Sequence, residues 1–350
     1  MSITVRLGDR LVGEGSPVFV IAELSANHGG NLDRTLDLVS IAAARGADAV
    51  KIQTYTPDTM TIDSDDARFV VGPGNPWSGR RLHDLYAEAA MPWDWYPALA
   101  ERAHRDGILL FSTPFDRTAV DYLVDCGASV LKIASFELTD LPLIRYAAAT
   151  ELPLVMSTGM ASDVEIEEAV AAARASGDGG VALLRCNSAY PSPVEQMDLA
   201  SIPDMRVRWG VPVGLSDHTL DDTAAVVSVA LGACIVEKHF TRDRSDGGPD
   251  SSFSLEPDEL GQLVTSIRSA EASLGNVRYG PSDSDRGSLR FRRSVYVVAD
   301  VAAGEEFTYD NVGTRRPLGV LEPRHLDAII GRRAVRALRA GHALDWVDLA

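Results

Sequence analysis

The feature that most constrains the fold is a recurring unit in which a short apolar run ends in polar residues and is followed by a helical pattern. Runs at 18–23, 49–53, 108–113, 129–135, 154–158, 181–186, 213–216 and 235–239 read as buried strands. Helices are expected from Asn31, Arg117, Leu141, Asp163, Asp222 and Glu256, and a less regular segment runs to about Arg208. Eight strand–helix units in roughly 255 residues is the arithmetic of an α/β chain closed into a (β/α)8 TIM barrel. Before it, residues 4–12 alternate around Gly8-Asp9, a hairpin signal that reads as a small cap.

The polar residues lie at the ends of these runs: Glu23, Lys51 and Gln53, Thr113, Lys132 and Ser135, Ser157, Ser188 and Tyr190, Ser216 and His218, and His239. In a barrel all C-terminal strand ends meet at one mouth, so residues spread over most of the chain converge there. That loops are polar explains one or two such ends well and all eight poorly. Two connections are long: 54–95, rich in Asp, Gly, Pro and Trp, and 242–255, which carries Asp-Gly-Gly-Pro-Asp-Ser-Ser. Connections of this length are commonly lids or binding loops.

The runs 211–219 and 234–241 each end in a histidine, His218 and His239, so two imidazoles could reach one divalent metal. Each could equally be a core or capping histidine satisfied by a backbone carbonyl. Lysine usage favours a functional reading of these ends. Among 33 Lys and Arg residues only Lys51, Lys132 and Lys238 are lysine, each near the end of an apolar run, where a compact ammonium suits an anionic ligand. A formal charge of -17 argues against a nucleic-acid partner and gives no reason to invoke a membrane surface, so an anionic substrate must be held by local cations.

Cys126, Cys186 and Cys234 are scattered without a CxxC pair, and no leader-like or membrane-length apolar run is present, so a reduced, cytoplasmic protein is expected. Domain boundaries are expected at 1–280 for the barrel with its hairpin, 281–290 for a linker and 291–350 for a small β-rich domain. Its faint repeat places Gly304, Phe307 and Val312 against Gly341, Leu344 and Leu349. From Arg286 onward there are eleven Arg against eight acidic residues, so a locally basic module follows an acidic barrel.

Lys51 and Lys132, with Lys238 as a third candidate and hydroxyls from Thr113, Ser135, Ser157 and Ser216, make a cradle for phosphate and carboxylate. Glu23 and Glu137 are candidate general bases, and a metal on two histidines could polarise a carbonyl. Together these describe an aldol-like condensation, with the substrates left open.

The motifs VIAELSANHGG (20–30), KIQTY (51–55), STPFD (112–116), KIASFE (132–137), STGM (157–160), GLSDHT (214–219), EKHFT (237–241) and GPDSSFSLEP (248–257) resemble the sialic acid synthase family over nearly the whole chain. Within it, 77–95, 132–144 and 246–257 are most similar to the pseudaminic acid synthase branch. The resemblance implies a barrel with a C-terminal antifreeze-like (SAF) domain, condensing phosphoenolpyruvate with an N-acetylated amino sugar and releasing phosphate. For that branch the sugar is 2,4-diacetamido-2,4,6-trideoxy-L-altrose; N-acetylneuraminate or legionaminate synthesis, or a silent sugar-binding barrel, are the alternatives. It further implies His218 and His239 as ligands of Mn2+ or Mg2+, and Lys51, Thr113, Lys132, Ser135, Ser157 and Ser216 around phosphoenolpyruvate. Glu23 is implied in proton transfers, and Gln53, Glu137, Tyr190 and Asp250 in sugar contact.

Two departures from the family pattern stand out. In CNSAYP, Ser188 occupies the place of a sugar-contacting Asn, and the arginine of the small domain, expected to reach a partner's barrel in a domain-swapped homodimer, falls on Arg315 or Arg316, with Arg316 the better match.

Overall fold

The computed structural model describes residues 3–74 and 76–350, which divide into two compact units, Met1–Gly275 and Asn276–Ala350. In the first, strands β1 (Thr4–Leu7) and β2 (Arg10–Gly13) form the expected hairpin. Then follow β3 (Phe19–Glu23), helix α1 (Leu32–Ala44), β4 (Ala49–Thr54), α2 (Pro57–Met60), α3 (Leu82–Ala89), α4 (Tyr96–Asp106) and β5 (Leu109–Pro114). The order continues with α5 (Arg117–Asp125), β6 (Leu131–Ile133), α6 (Leu141–Ala148), β7 (Leu154–Ser157), α7 (Asp163–Ser176) and β8 (Val181–Cys186). Helix α8 (Ser201–Trp209), β9 (Val213–Asp217), α9 (Thr223–Ala230), β10 (Ile235–His239) and α10 (Pro257–Leu274) complete the unit. Strands β3 to β10 pair in parallel and close when β10 returns to β3, with Ile235 opposite Phe19 and His239 opposite Glu23.

Short polar side chains set the helix starts. Asn31, Asp116 and Asp140 each accept a bond from a backbone N–H of the first turn, and Ser162 forms a reciprocal capping box with Glu165. Helix α4 stops where Gly107 takes φ +71, a left-handed conformation that glycine reaches without strain.

The period of two along each strand sorts its side chains into two cores. Outward residues such as Val20, Val50, Ile52, Leu131, Leu183 and Val236 pack with Leu38, Leu99, Val120, Ile144 and Val170 of the helices. Inward residues Phe19, Ile21, Ala49, Phe111, Val155, Leu184 and Ile235 fill the barrel together with Val5, Leu7 and Val12 of the hairpin. Gly8 abuts Leu109, the first residue of β5, and Val5 abuts Gly180, just before β8, so the hairpin plugs the N-terminal end of the barrel. The C-terminal end is left for chemistry.

The 54–95 connection is more ordered than a loop reading implies. Thr56 and Thr59 box the start of α2, and α3 is followed by a short 3-10 turn, Trp93–Trp95, leading into α4. Its length reflects an inserted excursion of short helices between β4 and α4.

In the second unit β11 (Ser294–Val297) pairs antiparallel with β12 (Val312–Arg315), and a short helix α11 spans Leu326–Ile329. Bridges Tyr296 to Ala343 and Val301 to Leu338 join the later part of the unit to the segment that begins with β11, and Ala334 to Leu349 closes the later part on itself. Phe307, Val312 and Leu344 of the repeat share its core, with Leu349 packed at its edge. No helix among the described residues is long and apolar enough to cross a membrane.

Candidate active site

A cavity of about 640 Å3 opens at the C-terminal strand ends. Its wall includes Glu23, Lys51, Gln53, Lys132, Ser135, Glu137, Ser157, Ser188, Tyr190, Ser216, His218, His239 and Asp250, which the sequence places far apart. Thr113 reaches it through Lys51, whose Nζ donates to Thr113 Oγ1 at 3.3 Å. Arg315 and Arg316 belong to the second unit.

The floor is a closed set of buried charges. Lys51 Nζ lies 2.6 Å from Glu23 Oε2 and 3.7 Å from Glu237 Oε1, and Lys132 Nζ lies 3.7 Å from the same Glu237 oxygen. Lys132 Nζ also donates to Ser157 Oγ at 2.6 Å, and Ser216 Oγ donates to Glu237 at 3.1 Å. Two ammonium groups thus face two carboxylates, and all four side chains are almost entirely out of water.

Glu237 carries no role in the sequence reading, although the signal was present. On β10, alternation puts Ile235, Glu237 and His239 on the inner face and Val236 and Lys238 on the outer one. The expectation of Lys238 as a third cation at the mouth is corrected for the same reason. Lys238 points away from the cavity, where its Nζ pairs with Asp217 at 2.7 Å and donates to Thr219 Oγ1 and the Asp221 carbonyl.

Burial pushes Glu23 up to about 7, Lys51 opposing and Glu237 adding to the shift. Burial also raises Glu137 to about 7 against its own backbone N–H and Lys132. Burial resists ionisation of Glu237 too, but Lys132 and Lys51 outweigh it and hold this carboxylate below its usual range. Two floor carboxylates are therefore driven apart, one toward a proton-exchanging role near neutrality and one toward permanent charge.

Above the floor the two histidines face each other with ring centroids 5.3 Å apart. His218 Nδ1 donates to the Asn187 carbonyl at 2.7 Å, which leaves Nε2 as its acceptor nitrogen. His239 is held neutral by burial together with the charges of His218 and Lys51, and its Nδ1 has no hydrogen-bond partner among the described residues. Among the described residues no three His, Cys, Asp or Glu side chains gather into a complete metal site. Two facing imidazoles, one with an orphaned nitrogen, fit a divalent cation whose other ligands are solvent or substrate oxygens. Tyr190 covers His218 at 4.2 Å between ring centroids and Phe253 packs behind it.

Asp250 is fixed by Ser25, whose Oγ donates to it, and by the Ala26 N–H at 3.3 Å. Asn27 spans the Phe240 carbonyl and Ser254, so the connection after β10 is pinned to the turn after β3. Ser188 lines the cavity without an Asn side chain's reach, and Asn187 is engaged with the backbone at Gln196 and Ala189.

Residues 38–279 match the model of the NeuB family and residues 292–350 that of the SAF domain. A pseudaminic acid synthase of Campylobacter jejuni is 39% identical over 334 residues, covering 95% of this chain and 96% of that protein. An N,N'-diacetyllegionaminic acid synthase of Legionella pneumophila is 35% identical over 339 residues, covering 95% of each. Among solved structures, an N-acetylneuraminic acid synthetase from Leptospira borgpetersenii matches with a TM-score of 0.73 at 32% identity, covering 83% of this chain and 96% of that one. A barrel mouth floored by paired lysines and glutamates beneath two histidines, with these relationships along its length, places the chain in the NeuB family of nonulosonic acid synthases, with a SAF domain C-terminal to the barrel.

Proposed function

We propose that the chain condenses phosphoenolpyruvate with 2,4-diacetamido-2,4,6-trideoxy-L-altrose and water, giving pseudaminic acid and phosphate. The observation that carries the phosphoenolpyruvate part is the buried floor, in which Lys51 and Lys132 are ringed by Thr113, Ser157 and Ser216. Such a set suits a phosphate and a carboxylate on one small molecule. The choice of sugar rests on likeness to the pseudaminic acid synthases, and the legionaminic acid synthases support a second reading with a stereoisomeric acceptor.

In this reading Lys51, Lys132, Ser135 and Ser157 orient phosphoenolpyruvate, while Gln53, Glu137, Tyr190 and Asp250 position the open-chain sugar over it. His218 and His239 would hold a divalent cation, Mn2+ or Mg2+, which would supply polarisation of the sugar's aldehyde oxygen. Carbon 3 of phosphoenolpyruvate forms the new bond to the aldehyde carbon, and water adds at carbon 2. Glu23, with its affinity for a proton set near neutrality, takes the proton from that water. Cleavage of the bond between carbon 2 and the bridging oxygen then expels phosphate, and a proton returns to the sugar oxygen. The active species is a homodimer in which Arg316 of one copy serves the acceptor end of its partner's site.

Phosphate release from phosphoenolpyruvate is the direct test, with the altrose derivative, the legionaminate precursor and N-acetylmannosamine in parallel with added Mn2+ or Mg2+. Release with the altrose derivative alone is the expected result. Release only with another sugar reassigns the acceptor, and sugar binding without release from any of them leaves a non-catalytic barrel.

A further inference from the structure

The charged floor accounts for one side of the cavity. Much of the remaining lining is apolar, and a large part of it comes from the insertion between β4 and α4. Met60 closes α2, Val71 follows, and α3 then presents Leu82, Leu85, Tyr86 and Ala89 to the cavity. These α3 positions are spaced i, i+3, i+4 and i+7, the stripe with which a helix ordinarily meets a hydrophobic core. Here the stripe lines the cavity.

The wall is also braced. Tyr86 meets Tyr55 edge-on at 5.9 Å between centroids, and Tyr55 meets Phe115 edge-on at 5.2 Å, so the aromatic part of the wall rests on the ends of β4 and β5. On its outer face the insertion is held by ion pairs, Arg80 with Glu88 and Arg81 with Asp63 and Asp65. The insertion therefore keeps its charges outside and turns a preorganised apolar surface on whatever lies above the floor.

We propose that this wall is the acceptor-selecting surface, and that it selects a sugar whose end remote from the aldehyde is a methyl group in place of a hydroxymethyl. The inference rests on the proposed function, because that places the aldehyde at the histidine and floor side. A hydroxymethyl turned toward Met60, Leu82 and Leu85 gains no hydrogen-bond partner from them and loses its water, whereas a methyl loses nothing. An apolar pocket rejects an added hydroxyl only modestly, so the discrimination is expected at about 10- to 100-fold in kcat/KM.

The test compares the altrose derivative with its 6-hydroxy counterpart on the wild-type protein and on Leu82→Asn and Met60→Gln, following phosphate release, with KM for phosphoenolpyruvate and Tm measured in each. The expected result is a wild-type preference for the 6-deoxy sugar that shrinks at least about fivefold in the variants, with KM for phosphoenolpyruvate unmoved. A wild-type enzyme that turns over the 6-deoxy sugar with a ratio unchanged by both folded variants overturns the inference while leaving the proposed function standing. A wild-type enzyme that releases phosphate only with 6-hydroxy sugars overturns both.

Discussion

At the scale of single residues, the buried quartet of Glu23, Lys51, Lys132 and Glu237 makes separable predictions. Glu23→Gln is expected to lower kcat by about 10²- to 10⁴-fold, the usual contribution of a positioned base. Since the basic form of Glu23 is the carboxylate and its pKa is raised to about 7, the wild-type rate should rise with pH through that value. Glu137 sits near the same value, so the profile of Glu137→Gln decides which carboxylate is seen: persistence of the limb assigns it to Glu23. Lys238→Met is a contrasting case. It strands Asp217, fully buried beside it, and is expected to cost about 3–5 kcal/mol in urea unfolding, as breaking a buried pair does. Because Lys238 faces away from the cavity, the KM for phosphoenolpyruvate should stay near that of the wild type.

At the scale of elements, the turn after β7 and the hairpin at the other end of the barrel differ in what they support. Gly159 has φ +23, and a Cβ there would lie 2.5 Å from Ser135 Cβ and from Ser188 Oγ. Gly159→Ala therefore separates Ser135 from Ser188 and should raise the KM for phosphoenolpyruvate by about tenfold, read from initial rates. Leu7→Ala empties part of the plug and should cost about 2–5 kcal/mol of stability while leaving both KM values in place. The barrel was legible in the sequence because each strand is a short apolar run with a polar end, a local signal repeated eight times. Glu237 and Lys238 were legible in principle through alternation alone, but their adjacency in EKH invites reading all three side chains as one group. The apolar stripe of α3 carried no such mark. Leu82, Leu85 and Tyr86 have the pattern of an ordinary core-facing helix, and only the fold shows that the face opposite them is a cavity. Likewise Ser25 and Asp250 stand 225 positions apart, and nothing local pairs them.

At the scale of the whole molecule, the proposed exchange of the small domain predicts complementation. Chains carrying Glu23→Gln and chains carrying Arg316→Ala, refolded together, should recover about a quarter of wild-type sites if each site borrows its arginine from the other copy. Activity no greater than the sum of the two separate variants would assign each arginine to its own barrel. A different consequence follows from the return of β10 to β3. The first and last strands of the barrel are joined across more than two hundred residues of intervening chain, and without that pairing the sheet would keep an open edge. His239 lies opposite Glu23 in that same closing pair, so the candidate active site is completed by the pairing that removes the sheet's last open edges.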